Sequence, residues 1–243
     1  MYPPSAAVAP VSGRASGHSR RLQTATRGWT AVVRVGRIAG VVEIDEYWFA
    51  AFTLAWEAFQ ERSIPVGAVL VDGVGTIIGQ GRNRMSGTAA PAGQIAGSRI
   101  AHAEINALAQ LPPGGHGDHI LYTTLEPCFL CTMALRFSHL GTVRYAAPDA
   151  TWYGVDQLPQ INHHVARRWT RRDGPLGGWW QEFSLLLMHI SAIERDVPGV
   201  LGTTQAQPAT VDLARRLAAG PADRLRKASL YEAAGELRPQ LYR

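Results

Sequence analysis

A mixed α/β fold, with a sheet flanked by helices, is predicted for this 243-residue chain by three features of its sequence. Helical and strand patterns alternate through the middle of the chain. Two short strands there are joined by an Asp72-Gly73 turn, which makes them an antiparallel hairpin. The strands that follow are separated by helices, so the full order is helix, strand, strand, helix, strand, helix, strand.

The first helix is announced at Asp45, after which Trp48, Phe52, Ala55, Trp56 and Phe59 recur at helical spacing before the polar end Gln60, Glu61 and Arg62. Residues 65–71 read as a strand and residues 76–79 as its return partner. Residues 84–100 carry Gly, Ala, Pro and Ser without period and are expected to form a loop. Residues 102–111 form the next helix, stopped by Pro112-Pro113-Gly114-Gly115. An apolar strand over 120–124 runs into Glu126-Pro127-Cys128, and Pro127 suits the first turn of the helix that carries Cys131. Residues 142–146 are a further strand. Trp179, Trp180, Phe183, Leu186, Leu187, Ile190 and Ile193 make one more amphipathic helix, expected to pack on the core or at a dimer interface.

Residues 1–42 hold six arginines and no acid, and their Ala, Ser, Gly and Pro content predicts a disordered basic tail. The tail accounts for the net charge of +5: it leaves 18 of the 24 basic residues against all 19 acids. High overall basicity is therefore a property of the tail and no argument for a nucleic-acid-binding body. Residues 43–196 are expected to form the working domain, and 197–243 a polar linker with weakly docked helices. No run approaches the roughly 18 apolar residues of a membrane span. Two cysteines in a chain of this size suggest a reducing compartment, so a cytoplasmic location is expected.

Those two cysteines sit three apart in Cys128-Phe129-Leu130-Cys131. Alone they read as readily as a redox pair or two buried thiols as they do as metal ligands. His102, followed two residues later by Glu104, changes that. A catalytic zinc needs three borderline or soft ligands and an open fourth position, which His102, Cys128 and Cys131 supply. Glu104 lies too near His102 to be wasted and is free to act as a base beside the metal.

The string His-Ala-Glu with a later Pro-Cys-x-x-Cys is the signature of the zinc deaminases. His102-Ala103-Glu104-Ile105-Asn106-Ala107-Leu108 and Thr124-Leu125-Glu126-Pro127-Cys128-Phe129-Leu130-Cys131 resemble the cytidine and deoxycytidylate deaminase superfamily, most of all its tRNA adenosine deaminases and guanine deaminases. The resemblance covers residues 45–150. It implies a three-layer α/β/α fold with a five-stranded sheet, one zinc per subunit, a homodimer, and Asn83 as a substrate-binding residue at the pocket wall. It also implies hydrolytic removal of an amine as ammonia, with Glu104 moving the protons. Ala103 is expected to matter by being small beside that base.

The tRNA enzymes carry an acid, Ala, Lys, Thr, Gly run after the fourth strand, whereas this chain keeps Asp149-Ala150 and continues Thr151-Trp152-Tyr153-Gly154. Trp152 and Tyr153 are therefore expected to close over a small aminated heterocycle, a free base or nucleoside. A tRNA adenosine deaminase is the alternative, and a non-catalytic zinc-containing binding protein a third reading. Arg167-Arg168-Trp169-Thr170-Arg171-Arg172 reads as a solvent-exposed connector with Trp169 docked inward; RNA contact is the competing view.

Overall fold

The computed structural model describes residues 44–197, 199–200 and 205–241, so the basic tail expected over 1–42 lies outside the described residues. Helix α1 (Glu46–Gln60) begins where the sequence placed it, because the Asp45 carboxylate accepts the Trp48 amide at 2.9 Å. Its aromatic stripe faces inward. Phe52 packs on Trp180 of a later helix with ring centroids 4.6 Å apart, and Trp56 stacks on Phe183 at 6.2 Å.

Strands β1 (Gly67–Val71) and β2 (Ile77–Arg82) form the hairpin, closed by Asp72, whose Oδ1 accepts the amides of Val74 and Thr76. Helix α2 (Ala103–Leu108), β3 (His116–Leu125), α3 (Phe129–Phe137) and β4 (Leu140–Ala147) follow in the expected order. The sheet order is β2-β1-β3-β4-β5, with β1 antiparallel to both β2 and β3, and β3, β4 and β5 parallel. It is the five-stranded mixed sheet that the resemblance implied.

Strand β5 (Arg171–Asp173) is the element that sequence reading missed. It lies inside the arginine-rich connector, and three polar residues on a sheet edge leave no alternating pattern to find. Two short helices, α4 (Leu158–Ile161) and α5 (His163–Ala166), precede the connector; Trp169 is half-buried as expected. Helix α6 (Gly178–Glu194) then buries Trp179, Trp180, Phe183 and Ile190 inside the chain itself.

Among the described residues beyond Val197, the helices are packed on the core, against the expectation of weak docking. Helices α7 (Pro208–Ala218), α8 (Ala222–Leu225) and α9 (Leu230–Leu241) place Leu213, Leu225 and Leu237 at 0–1% exposure in the same apolar cluster as α1 and α6. Arg226 ties this segment to the core, donating to the Phe59 carbonyl at 3.0 Å, pairing with Glu194, and lying 4.3 Å from the Phe59 ring. Sparse leucines and alanines spaced on one face carry the contact, and the abundant charge on the other face disguises it in the sequence.

A second apolar cluster lies on the opposite face of the sheet, where α2 and α3 pack. Gly81 makes that packing close: a Cβ there would lie 2.2 Å from the Ala103 carbonyl oxygen and 2.5 Å from the Ala107 amide. Only a bare backbone lets α2 rest on β2. No helix among the described residues is long and apolar enough to cross a membrane.

Candidate functional site

Two helix starts converge at the C-terminal end of β3. His102 is the N-cap residue of α2, and Cys128 is the N-cap residue of α3, with Cys131 in the first turn of α3. His102 Nδ1 lies 3.7 Å from Cys128 Sγ and 3.4 Å from Cys131 Sγ, and all three donor atoms fall within 4.8 Å of one another. One imidazole and two thiols that close together fit the donor set and span of a zinc centre.

The charges around the cluster are consistent with that fit. The hydrogen bond from Cys131, opposed by burial and assisted by His102, lowers the Cys128 thiol to about 4. That same bond, and then burial, raise the Cys131 thiol well above the ordinary cysteine value. The two thiols thus pull each other's ionisation in opposite directions. A dication between them is what lets both become thiolates. His102 is raised, chiefly by its hydrogen bond to Cys128.

Glu104 stands beside the cluster with 4% exposure, its Oε2 3.4 Å from Cys131 Sγ and its Oε1 accepting the Thr123 hydroxyl at 3.1 Å. Burial, and then the negative charge of Cys128, raise its carboxyl above the ordinary value. Among the described residues no lysine or arginine pairs with Glu104, which sets it apart from a structural buried carboxylate.

Asn83 follows β2 and is 2% exposed. Its Oδ1 accepts the Met85 backbone N–H at 3.0 Å and the Ser63 hydroxyl at 2.7 Å. A backbone N–H only donates, so the amide orientation is fixed and the Nδ2 hydrogens face the other way. The next residue's amide, from Arg84, donates to the Ala101 carbonyl at 2.9 Å, which stitches the end of β2 to the residue before His102.

Ala103 is wholly buried in the apolar cluster between α2 and the sheet, with its carbonyl oxygen against Gly81. Trp152 is 41% exposed, and its ring meets that of Phe129, the residue after Cys128, edge-on at 6.0 Å. Tyr153 is 85% exposed. The structure thus gathers His102, Cys128, Cys131 and Glu104, sets Trp152 beside the start of α3, and leaves Tyr153 in solvent.

Three supporting groups escaped sequence reading. Asn106 grips Ile95 through both its N–H (2.8 Å) and its carbonyl (3.1 Å), and also donates to the Arg82 carbonyl, anchoring the 84–100 loop to α2. Its place in the same motif as Glu104 was the available signal. Glu126 accepts from Arg172 at 2.6 Å and from the Asp149 amide at 3.0 Å; Arg172 also reaches the Thr132 hydroxyl at 3.2 Å, and that hydroxyl donates to the Pro127 carbonyl. This corrects the reading of Arg172 as solvent-exposed: at 7% side-chain exposure it holds the Glu126-Pro127-Cys128 turn.

Comparison with known proteins bears on the same segment. The profile of the cytidine and deoxycytidylate deaminase zinc-binding region matches residues 42–147. A tRNA-specific adenosine deaminase of Streptococcus pyogenes serotype M18 is 33% identical over 121 residues, 46% of this chain and 70% of that protein. The tRNA(Ile)-lysidine synthase of Deinococcus radiodurans is 30% identical over 132 residues; the match takes 53% of this chain and spans only 21% of that protein. Among solved structures, guanine deaminase from Bacillus subtilis is 32% identical with a TM-score of 0.36, over 44% of this chain and 66% of that one.

Proposed function

The chain belongs to the cytidine and deoxycytidylate deaminase family, and from that premise we propose that it is a zinc-dependent hydrolytic deaminase of a free purine or pyrimidine base, a nucleoside or a related aminated heterocycle. The observation that carries the reading is Glu104, a buried carboxylate without a basic partner, set against the His102, Cys128 and Cys131 donors. Such a group has no structural duty at a zinc site and every chemical one.

His102, Cys128 and Cys131 would hold the zinc, which when bound would supply a water acidic enough to lose a proton near neutrality. Glu104 takes that proton and delivers it to a ring nitrogen of the substrate, making the amine-bearing carbon electrophilic. The C–O bond from water forms; Glu104 then takes the second proton from the new hydroxyl and passes it to the amine, so that the C–N bond breaks, a carbonyl forms and ammonia departs. Thr123 holds the carboxylate through Oε1 and thereby aims it. Asn83, with its Oδ1 committed to Ser63 and Met85, offers only N–H donors, so the substrate atom that it meets is an acceptor, such as a ring nitrogen or a carbonyl oxygen. The edge contact with Phe129 supports Trp152 as an aromatic wall of the mouth, and Tyr153 is free to close beside it. A homodimer belongs to the same proposal, with sedimentation velocity as its check.

The second reading, a tRNA adenosine deaminase making inosine at the anticodon, is favoured by the name of the Streptococcus pyogenes relative. One experiment separates the readings. The zinc-quantified protein is incubated with free bases, nucleosides, nucleotides and unmodified tRNA, and ammonia release is compared with that of a Glu104→Ala variant. Ammonia from a small substrate, absent in the variant, supports the proposal. Release from tRNA alone, with steeply salt-dependent binding, replaces it with the second reading. No release from any substrate, with zinc bound and Glu104→Ala unchanged in every property, leaves the non-catalytic zinc protein.

A further inference from the structure

A second cleft lies at the opposite end of β3 from the zinc donors. Its volume is about 400 Å³, within the range of small-molecule sites, and it is lined by Gly115, His116, Gly117, His139, Leu140, Gly141, Arg168 and Trp169. Three observations make it more than a surface irregularity. First, the β3–β4 ladder slips there: His116 pairs with Leu140 and Ile120 with Thr142, so β3 carries two extra residues in a bulge that begins at the cleft. Bulges of this kind interrupt the ladder and bend the strand beside a site.

Second, Gly115 and Gly117 have no conformational or steric need to be glycine. Neither adopts a positive φ, and a Cβ added at either would meet nothing within 4 Å. Their bareness keeps the cleft open and lets a ligand approach the backbone. Gly141 differs, since a Cβ there would sit 1.9 Å from the Gly117 carbonyl oxygen.

Third, the cleft holds a cation, Arg168, with no carboxylate partner among the described residues. Arg168 reaches the His139 ring at 2.7 and 3.1 Å, and among the described residues no carboxylate contacts it. Desolvation, and then the charges of Arg168 and Arg136, hold His139 below the ordinary histidine value. The carboxylate in the bulge, Asp118, is engaged by His119 and lies toward the hairpin turn at Gly73. Half-buried Trp169 adds an aromatic wall.

We propose that this cleft is a second binding site, for a small ligand that joins a phosphate group to a planar aromatic ring, with the phosphate on Arg168 and His139 and the ring against Trp169. Phosphate is an anion that an arginine beside exposed backbone recognises well, and the ring uses the broad face of the indole in the cleft. The arginine-rich connector thereby acquires two duties: Arg172 holds the zinc turn, and Arg168 faces the second site.

The test titrates the zinc-loaded full chain with inosine and uridine 5′-monophosphates, which carry no exocyclic amine to be removed, and follows tryptophan fluorescence and calorimetry. Arg168→Ala is expected to weaken binding about ten- to hundred-fold, as loss of a charge-assisted bond does. Gly117→Val, which fills open space, is expected to weaken it similarly, and Trp169→Phe to remove the fluorescence change. All three are expected to keep bound zinc and ammonia release. Unchanged monophosphate affinity in Arg168→Ala and Gly117→Val overturns the proposal, because binding then belongs to the zinc site. Binding of an RNA oligonucleotide without binding of either monophosphate overturns it as well.

Discussion

Gly81→Ala tests whether the close seating of α2 on β2 is what sets the catalytic geometry. The added carbon would stand 2.2 Å from the Ala103 carbonyl oxygen, where carbon and oxygen normally keep about 3.3 Å or more. The shortfall is roughly 1 Å, and its neighbours are backbone atoms, which cannot rotate away. Helix α2 must therefore lift from the sheet, carrying His102 and Glu104, while Cys128 and Cys131 stay with α3. Overpacking of this kind costs about 1–3 kcal/mol of stability, and a displacement of about 1 Å between reacting groups costs about a hundredfold in rate. The expected variant melts several degrees lower, binds zinc less tightly and loses most of its turnover. Melting temperature, zinc per chain after dialysis against a weak chelator, and ammonia release measure the three effects. A folded Gly81→Ala protein with wild-type zinc retention and turnover would refute the reasoning, since α2 would then have room that the geometry denies it.

Further outcomes follow from the same contacts. Asn106→Ala removes the clamp on Ile95, so trypsin is expected to cut at Arg84 or Arg99 in the released loop faster than in the wild type, while the helices and strands resist; mass spectrometry of timed digests reads this directly. Arg172→Ala strands Glu126 and is expected to cost about 3–5 kcal/mol with loss of zinc, whereas exposed Arg167→Ala should stay within about 0.5 kcal/mol in the same denaturant titration. Leu237→Ala empties a fully buried position and is expected to cost about 2–5 kcal/mol, a loss that a weakly docked tail would not register. Asp45→Ala removes the α1 cap for about 1 kcal/mol, seen as a modest fall in the denaturation midpoint.

The candidate site was largely legible in one dimension. His102, Glu104, Cys128 and Cys131 are readable because zinc restricts ligand types and because both pairs lie within a helical turn, where local geometry follows from spacing. The α1 stripe and the hairpin were equally plain, since a helix cap and an Asp-Gly turn act through their own neighbours. Strand β5 was not legible, because an edge strand of three polar residues exists only through pairing with β4. Nor were the duties of Arg172 and Arg226, whose surroundings come from partners 46 and 32 residues away. Charge in a sequence reads as solvent-facing until the fold brings a carboxylate to it. The same holds for Asn83: its residue type suggested a ligand contact, while Ser63 and Met85 decide which face of the amide is offered. Sequence alone singled out the His102, Cys128 and Cys131 cluster and the proposed base Glu104, since those choices rest on short-range spacing and element type. The tertiary structure decided how they are aimed, what supports them and where a second cleft opens, because those properties depend on contacts between distant segments.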